Sequence, residues 1–156
     1  MSFKPTKIYV HSSDSKFGDA ALIDEWHKAR GWSSPTGKHI GYHYVVLNGR
    51  RVTAKKYVKE HDGIIEAGRP ETEQGAHVSG ENWCSLGVCL IGDKEALFSV
   101  PQLRSVIFLL RELVKKHELS WSSIFGHYQA ATGVAQGKTD PGFEIDVLRA
   151  LVRGDN

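Results

Sequence analysis

Short apolar runs and longer amphipathic stretches alternate along the chain, and each kind predicts a different element. KIYVH (7–11) is short and β-branched and predicts a strand ending on a histidine. DAALIDEWHKARG follows, with Leu22, Ile23 and Trp26 at helical spacing and Gly31 as a stop. YHYVVLNGR (42–50) predicts a strand running into an Asn48-Gly49 turn. Residues 51–61 are charged and aperiodic and predict an irregular or weakly paired excursion. DGIIEAGR predicts a turn at Asp62-Gly63 and then a strand around two isoleucines. SLGVCLIG (85–92) is almost wholly apolar and bounded by glycine, as a central strand covered on both faces would be.

The clearest local signal comes next. Ser99 and Gln102 have the spacing of a capping box, with Phe98 and Leu103 placed as a hydrophobic staple. Leu103, Val106, Ile107, Leu110 and Val114 then form an apolar stripe that carries a helix to about His117. IFGHY predicts another short strand. Residues 143–152 predict a closing helix with Leu148 and Leu151 among its core contacts. Strands and helices in this order predict an α/β fold: a single mixed sheet packed against helices, in one domain spanning 1–156. There is no internal repeat, low-complexity segment or domain linker.

Composition narrows this picture only a little. The 156 residues are 40% apolar and 24% charged, which suits an ordinary globular chain rather than a disordered one. A formal charge of +2 gives no reason to expect a nucleic-acid partner. Lys55, Lys56 and Lys59 form only a short, interrupted basic run. Two cysteines, Cys84 and Cys89, are too few for a disulfide scaffold, and free thiols are expected. No apolar run approaches the roughly 20 residues that span a bilayer, and MSFKPTKIYV carries no export-type apolar core. Synthesis in the cytoplasm and no membrane insertion are therefore expected.

Candidate chemistry collects just beyond the strands. His11 ends the first, His127 ends IFGHY, and Asp140 lies in the loop after it. Two imidazoles and a carboxylate suit a catalytic zinc with one position left for water. Spacing alone equally admits three unrelated polar loop residues. Lys138, two residues before Asp140, could hold an oxyanion or simply be solvated. Tyr42 could bond a reacting water or be an ordinary buried tyrosine. His77, in GAHVSGENW, could reach a bound substrate or only solvent. His43 falls on the opposite face under strict alternation and reads as structural. Cys89 reads as a small buried hydrophobe. There is no dinucleotide fingerprint and no Walker loop. Ser13 to Lys16 has a bare Ser-x-x-Lys spacing without the rest of a serine-enzyme context.

VHSSDS, GWSSPTGKHIGYHYVVLNG, IIEAGRP, GAHVSGENWCSLGVCLIG and GHYQAATGVAQGKTDPGF occur in that order. Together they resemble the type 2 N-acetylmuramoyl-L-alanine amidases, the family of bacteriophage T7 lysozyme and the peptidoglycan recognition proteins. The resemblance covers roughly residues 8–151. It implies the fold of those proteins and a Zn2+ site of His11, His127 and Asp140, with Tyr42 and Lys138 as catalytic side chains. It implies hydrolysis of the amide between N-acetylmuramic acid and L-alanine, with peptidoglycan or muropeptides as partner and a monomer as the working form. In T7 lysozyme the third ligand is a cysteine; Asp140 matches the cytoplasmic recycling amidases instead. Those enzymes carry a glutamate where this chain, like the phage enzyme, has Cys89. A phage or prophage endolysin would wait in the host cytoplasm and reach the periplasmic wall once the membrane is opened. A muropeptide-recycling amidase, a non-catalytic wall-binding module and a regulator of a partner enzyme are the alternatives.

Overall fold

The computed structural model describes residues 2–95 and 97–154. Among them, β1 (Lys7–Ser12), β2 (Tyr44–Asn48), β3 (Asp62–Ala67), β4 (Ser85–Leu90) and β5 (Ile124–Gly126) form one sheet in the order β3-β2-β4-β1-β5. β1 runs parallel to both β4 and β5, β2 runs parallel to β4, and β3 is antiparallel to β2. The helices are α1 (Ala20–Ala29), α2 (Val100–Lys116), α3 (Ala131–Ala135) and α4 (Ile145–Arg153). This is the mixed sheet packed against helices that the sequence predicts. No helix among the described residues is long and apolar enough to cross a membrane.

Period-two alternation sorts the strand residues onto two faces. Ile8, Val10, Val46, Leu86, Val88, Leu90 and Ile124 join Val106, Leu109, Leu110 and Leu113 of α2 and Leu148 and Val152 of α4 in the main core. Each such side chain contributes about 1.5–3 kcal/mol by leaving water. The residues between them point the other way. Val45, Leu47 and Cys89 meet Ile23 and Ile40 in a second cluster, and Tyr9 meets Val78 and Ala130 in a third.

Local chemistry sets the element ends. The Asp19 carboxylate accepts from Leu22 N (2.9 Å) and caps α1. At α2 the capping box is complete: Ser99 Oγ accepts from Gln102 N, and Ser99 N donates to Gln102 Oε1. The same Gln102 donates through Nε2 to the carbonyls of Val46 and Ile91, so a buried polar side chain ties the start of α2 to the sheet.

That tie rotates α2 relative to the stripe read from the sequence. The buried positions are Gln102, Val106, Leu109, Leu110 and Leu113, whereas Leu103 is exposed and Phe98 stacks edge-on against Phe143. In α4, Ile145, Leu148 and Val152 are buried and Leu151 is 43% exposed, so Leu151 is not a core contact. Tyr42 and His43 precede β2 rather than belonging to it, and β5 stops at Gly126 because His127–Gln129 forms a 3-10 turn. β3 begins at Asp62, where the sequence predicts a turn. Gly63 adopts φ +85°, and the register slips between Val46 and Asn48, so Gly63 sits in a bulge rather than a hairpin. Residues 51–61 hold no strand, only the 3-10 turn Lys59–His61.

Candidate metal centre

Strand order places the first two candidate residues together. β1 and β5 are parallel neighbours with Val10 opposite Gly126, so His11 and His127 leave the same end of the sheet side by side. Their rings lie 4.7 Å apart at 66°. Crevices at the C-terminal ends of parallel strands are where open α/β sheets receive ligands.

The segment GHYQAATGVAQGKTDPGF supplies the third residue by folding back on β5. It is not the plain loop its small residues suggest, because 131–135 is helical. A Cβ on Gly133 would lie 2.1 Å from the His127 carbonyl oxygen, so only glycine lets α3 pack this closely. Lys138 N then donates to Gly133 O (2.8 Å) and Tyr128 N to Asp140 O (3.3 Å). Gly142, at φ +88°, closes the turn through Gly142 N to Thr139 O (2.9 Å).

The Asp140 carboxylate ends between the two imidazoles. Its Oδ2 lies 3.0 Å from His11 Nδ1 and 3.2 Å from His127 Nδ1. One ligand atom from each of His11, His127 and Asp140 lies within 4.8 Å of the others, so this cluster could coordinate a metal ion. The electrostatics suit that use. Burial would raise the Asp140 pKa, but the polar contacts of the carboxylate with the His11 and His127 imidazoles outweigh it and hold the carboxyl well below the usual range. Burial lowers the His11 pKa, outweighing the hydrogen bond and charge of Asp140. An ionised carboxylate and a neutral imidazole are the protonation states a cation needs. This donor set fits a zinc ion.

A cleft of about 400 Å³ opens over the cluster. Tyr42, His77, Lys138 and Asp140 line it, with Arg30 and Trp32 on its wall. The Tyr42 ring lies 5.1 Å from that of His11. Burial, and after it the neighbouring Cys89 and Asp140, push the Tyr42 phenol well above its ordinary pKa, so it is a neutral hydroxyl near pH 7. Lys138 is exposed on the rim. Cys89 is fully buried, and burial raises its thiol far from the reactive range. Both cysteines are free and buried.

Two other histidines have structural partners. His27 Nδ1 accepts from Gly41 N (2.8 Å). His43 Nδ1 accepts from Gly87 N (3.0 Å), while its Nε2 donates to Glu73 O (2.7 Å). His77 differs from both: its Nδ1 lies 3.0 Å from His11 Nε2. Sequence spacing offers no signal for that contact, because it depends on how the 75–82 loop crosses β4 and β1.

Residues 2–143 match the family model described as N-acetylmuramoyl-L-alanine amidase. The endolysin of Enterobacteria phage T3 is 32% identical over 158 residues, covering 93% of this chain and 88% of that protein. The endolysin of Escherichia phage T7 is 32% identical over 147 residues, covering 88% and 81%. Among solved structures, the N-acetylmuramoyl-L-alanine amidase LysC from Clostridium intestinale URNW superposes with a TM-score of 0.77 at 27% identity, covering 97% of this chain and 87% of LysC. Drosophila peptidoglycan recognition protein SD shares the fold, with a TM-score of 0.65 at 20% identity over 99% of this chain and 82% of that one.

Proposed function

The chain belongs to the N-acetylmuramoyl-L-alanine amidase family, and on that premise we propose that it is a zinc-dependent hydrolase of the amide joining N-acetylmuramic acid to L-alanine. The observation that carries this reading is the convergence of His11, His127 and Asp140 on one point at the floor of a cleft. These three residues would hold the ion. Zinc bound there would supply Lewis acidity toward the scissile carbonyl and make water nucleophilic near neutral pH.

The other roles fall to residues lining the cleft. The neutral Tyr42 hydroxyl, beside His11, orients the attacking water and assists proton transfer. The Lys138 ammonium stabilises negative charge on the tetrahedral oxygen of the substrate. Cys89 has no nucleophilic role, because its thiol is fully buried and held protonated. No covalent enzyme intermediate is needed.

The relatives named endolysin support a lytic role for a phage or prophage product acting on the wall once the membrane is breached. An aspartate as third ligand favours a second reading, the recycling of soluble muropeptides. Purified protein, incubated with defined muropeptides and with intact sacculi, tests both readings by mass spectrometry. The expected result is a free L-alanine amine and a free lactyl carboxyl, abolished by a chelator and restored by zinc. Cleavage of sacculi supports lysis, and cleavage of soluble muropeptides alone supports recycling. Muropeptide that is bound but left intact in the presence of bound zinc would favour a wall-binding module.

A further inference from the structure

His77 sits beside the metal cluster without belonging to it, and its two ring nitrogens face different partners. Nε2 faces Ser85, whose carbonyl oxygen is 3.4 Å away and whose Oγ is 3.5 Å away. The carbonyl can only accept. Ser85 Oγ donates its own proton to Glu81 O (2.7 Å), so it presents a lone pair to His77. Nε2 of His77 therefore carries the hydrogen, and in the neutral ring Nδ1 is an acceptor. That Nδ1 lies 3.0 Å from His11 Nε2, with the rings at 89°. With a cation in the cluster, His11 is then the donor through Nε2, and its Nδ1 lone pair, 3.0 Å from Asp140 Oδ2, is free for the ion that would lie between the two acceptors.

The surroundings hold His77 for this contact. A Cβ on Gly87 would lie 2.6 Å from His77 Cγ, and one on Gly75 would lie 2.6 Å from its Cδ2, so the imidazole fills space that two glycines leave open. Asn82 Oδ1 accepts from both His77 N (2.8 Å) and Val78 N (2.9 Å), which fixes the backbone. The His43 ring packs edge-on against it at 83°. Both nitrogens of His77 are engaged before any substrate arrives.

We propose that His77 is a positioning residue for the metal ligand His11: it accepts the Nε2–H of His11 and holds that imidazole with its Nδ1 lone pair aimed at the ion. The inference rests on the zinc reading above. A neutral imidazole in this place fixes the tautomer of a ligating histidine, the task that a carboxylate or carbonyl commonly performs.

The test uses three measurements on zinc-loaded protein. Imidazole ¹⁵N shifts in the wild type should show His11 and His77 both protonated at Nε2. A His77 protonated at Nδ1 would overturn the proposal without any variant. Zinc affinity, measured by competition with a chelating indicator, should fall about 10–100-fold in His77→Ala, with the KM for muropeptide unchanged. His77→Asn, whose amide oxygen replaces the Nδ1 acceptor, should recover affinity close to wild type. A raised KM with unaltered zinc affinity would assign His77 to substrate instead. If His77→Ala does not fold, the shifts and His77→Asn still decide. Failure of the wild type to bind zinc would refute the underlying reading, and it is seen before any variant is made.

Discussion

The two faces of β1 and β4 are built from alternate residues of the same strands, yet they differ in chemistry. On one face Ile8, Val10, Leu86, Val88 and Leu90 are uniformly apolar and close against α2 and α4. On the other, the intervening positions are Tyr9, His11, Ser85, Gly87 and Cys89. This second face gives up bulk at Ser85 and Gly87 so that His77 can reach His11. One strand therefore serves stability through its even positions and the candidate site through its odd ones, and a change on either face should be felt mainly there.

Asp140→Ala should give the largest effect: zinc content and amide cleavage both lost in a protein that still folds. Retained cleavage would remove Asp140 from the site. Lys138→Ala should keep its zinc and lose about 100–1000-fold in kcat, the usual cost of removing one oxyanion donor. Loss of zinc in that variant would give Lys138 another role.

Leu110→Ala should do the reverse. This fully buried α2 residue should cost about 2–5 kcal/mol in urea unfolding while zinc stoichiometry stays at one per chain. A zinc defect as large as the stability defect would show the two faces to be coupled.

The histidines behind the site give a smaller, pH-dependent effect. Burial lowers the pKa of His27 to about 4 from 6.5, and it lowers that of His43 to about 4 as well. Between those values the unfolded chain binds more protons than the folded one, so stability rises with pH from about 4 to about 6.5 and is level above that. His27→Asn keeps an acceptor for Gly41 N but cannot titrate. Thermal melts of its metal-free form should show a shallower acid loss across this window, with the shares due to His43, His11 and His77 remaining. An unchanged slope would mean that His27 is not buried neutral. Least of all, Leu151→Ala, on the exposed side of α4, should change stability by no more than about 0.5 kcal/mol.

The apolar face is legible in the sequence because period-two strands and a capped helix leave a regular trace. The Ser99–Gln102 box is a case where the local signal and the structure agree. The same glutamine shows where such reading stops. Its bonds to the carbonyls of Val46 and Ile91 turn α2 so that Leu103 faces solvent, and no helical period contains that information. The site is legible only in part. His11 and His127 stand out as residues at strand ends, but their adjacency depends on β1 pairing with β5, which is a matter of strand order. The partnership of His77 with His11 depends on a loop path and on two glycines that admit the ring. α3 is hidden in a run of small residues, where weak helix propensity is decided by packing on the His127 backbone.

The central claim is that His11, His127 and Asp140 hold one zinc ion. Anomalous diffraction at the zinc edge, from crystals grown with one equivalent of zinc, tests it most directly. The account predicts a single strong peak about 2.0–2.2 Å from His11 Nδ1, His127 Nδ1 and an Asp140 carboxylate oxygen. A zinc peak elsewhere, or none at this cluster in protein that cleaves muropeptides, would contradict it.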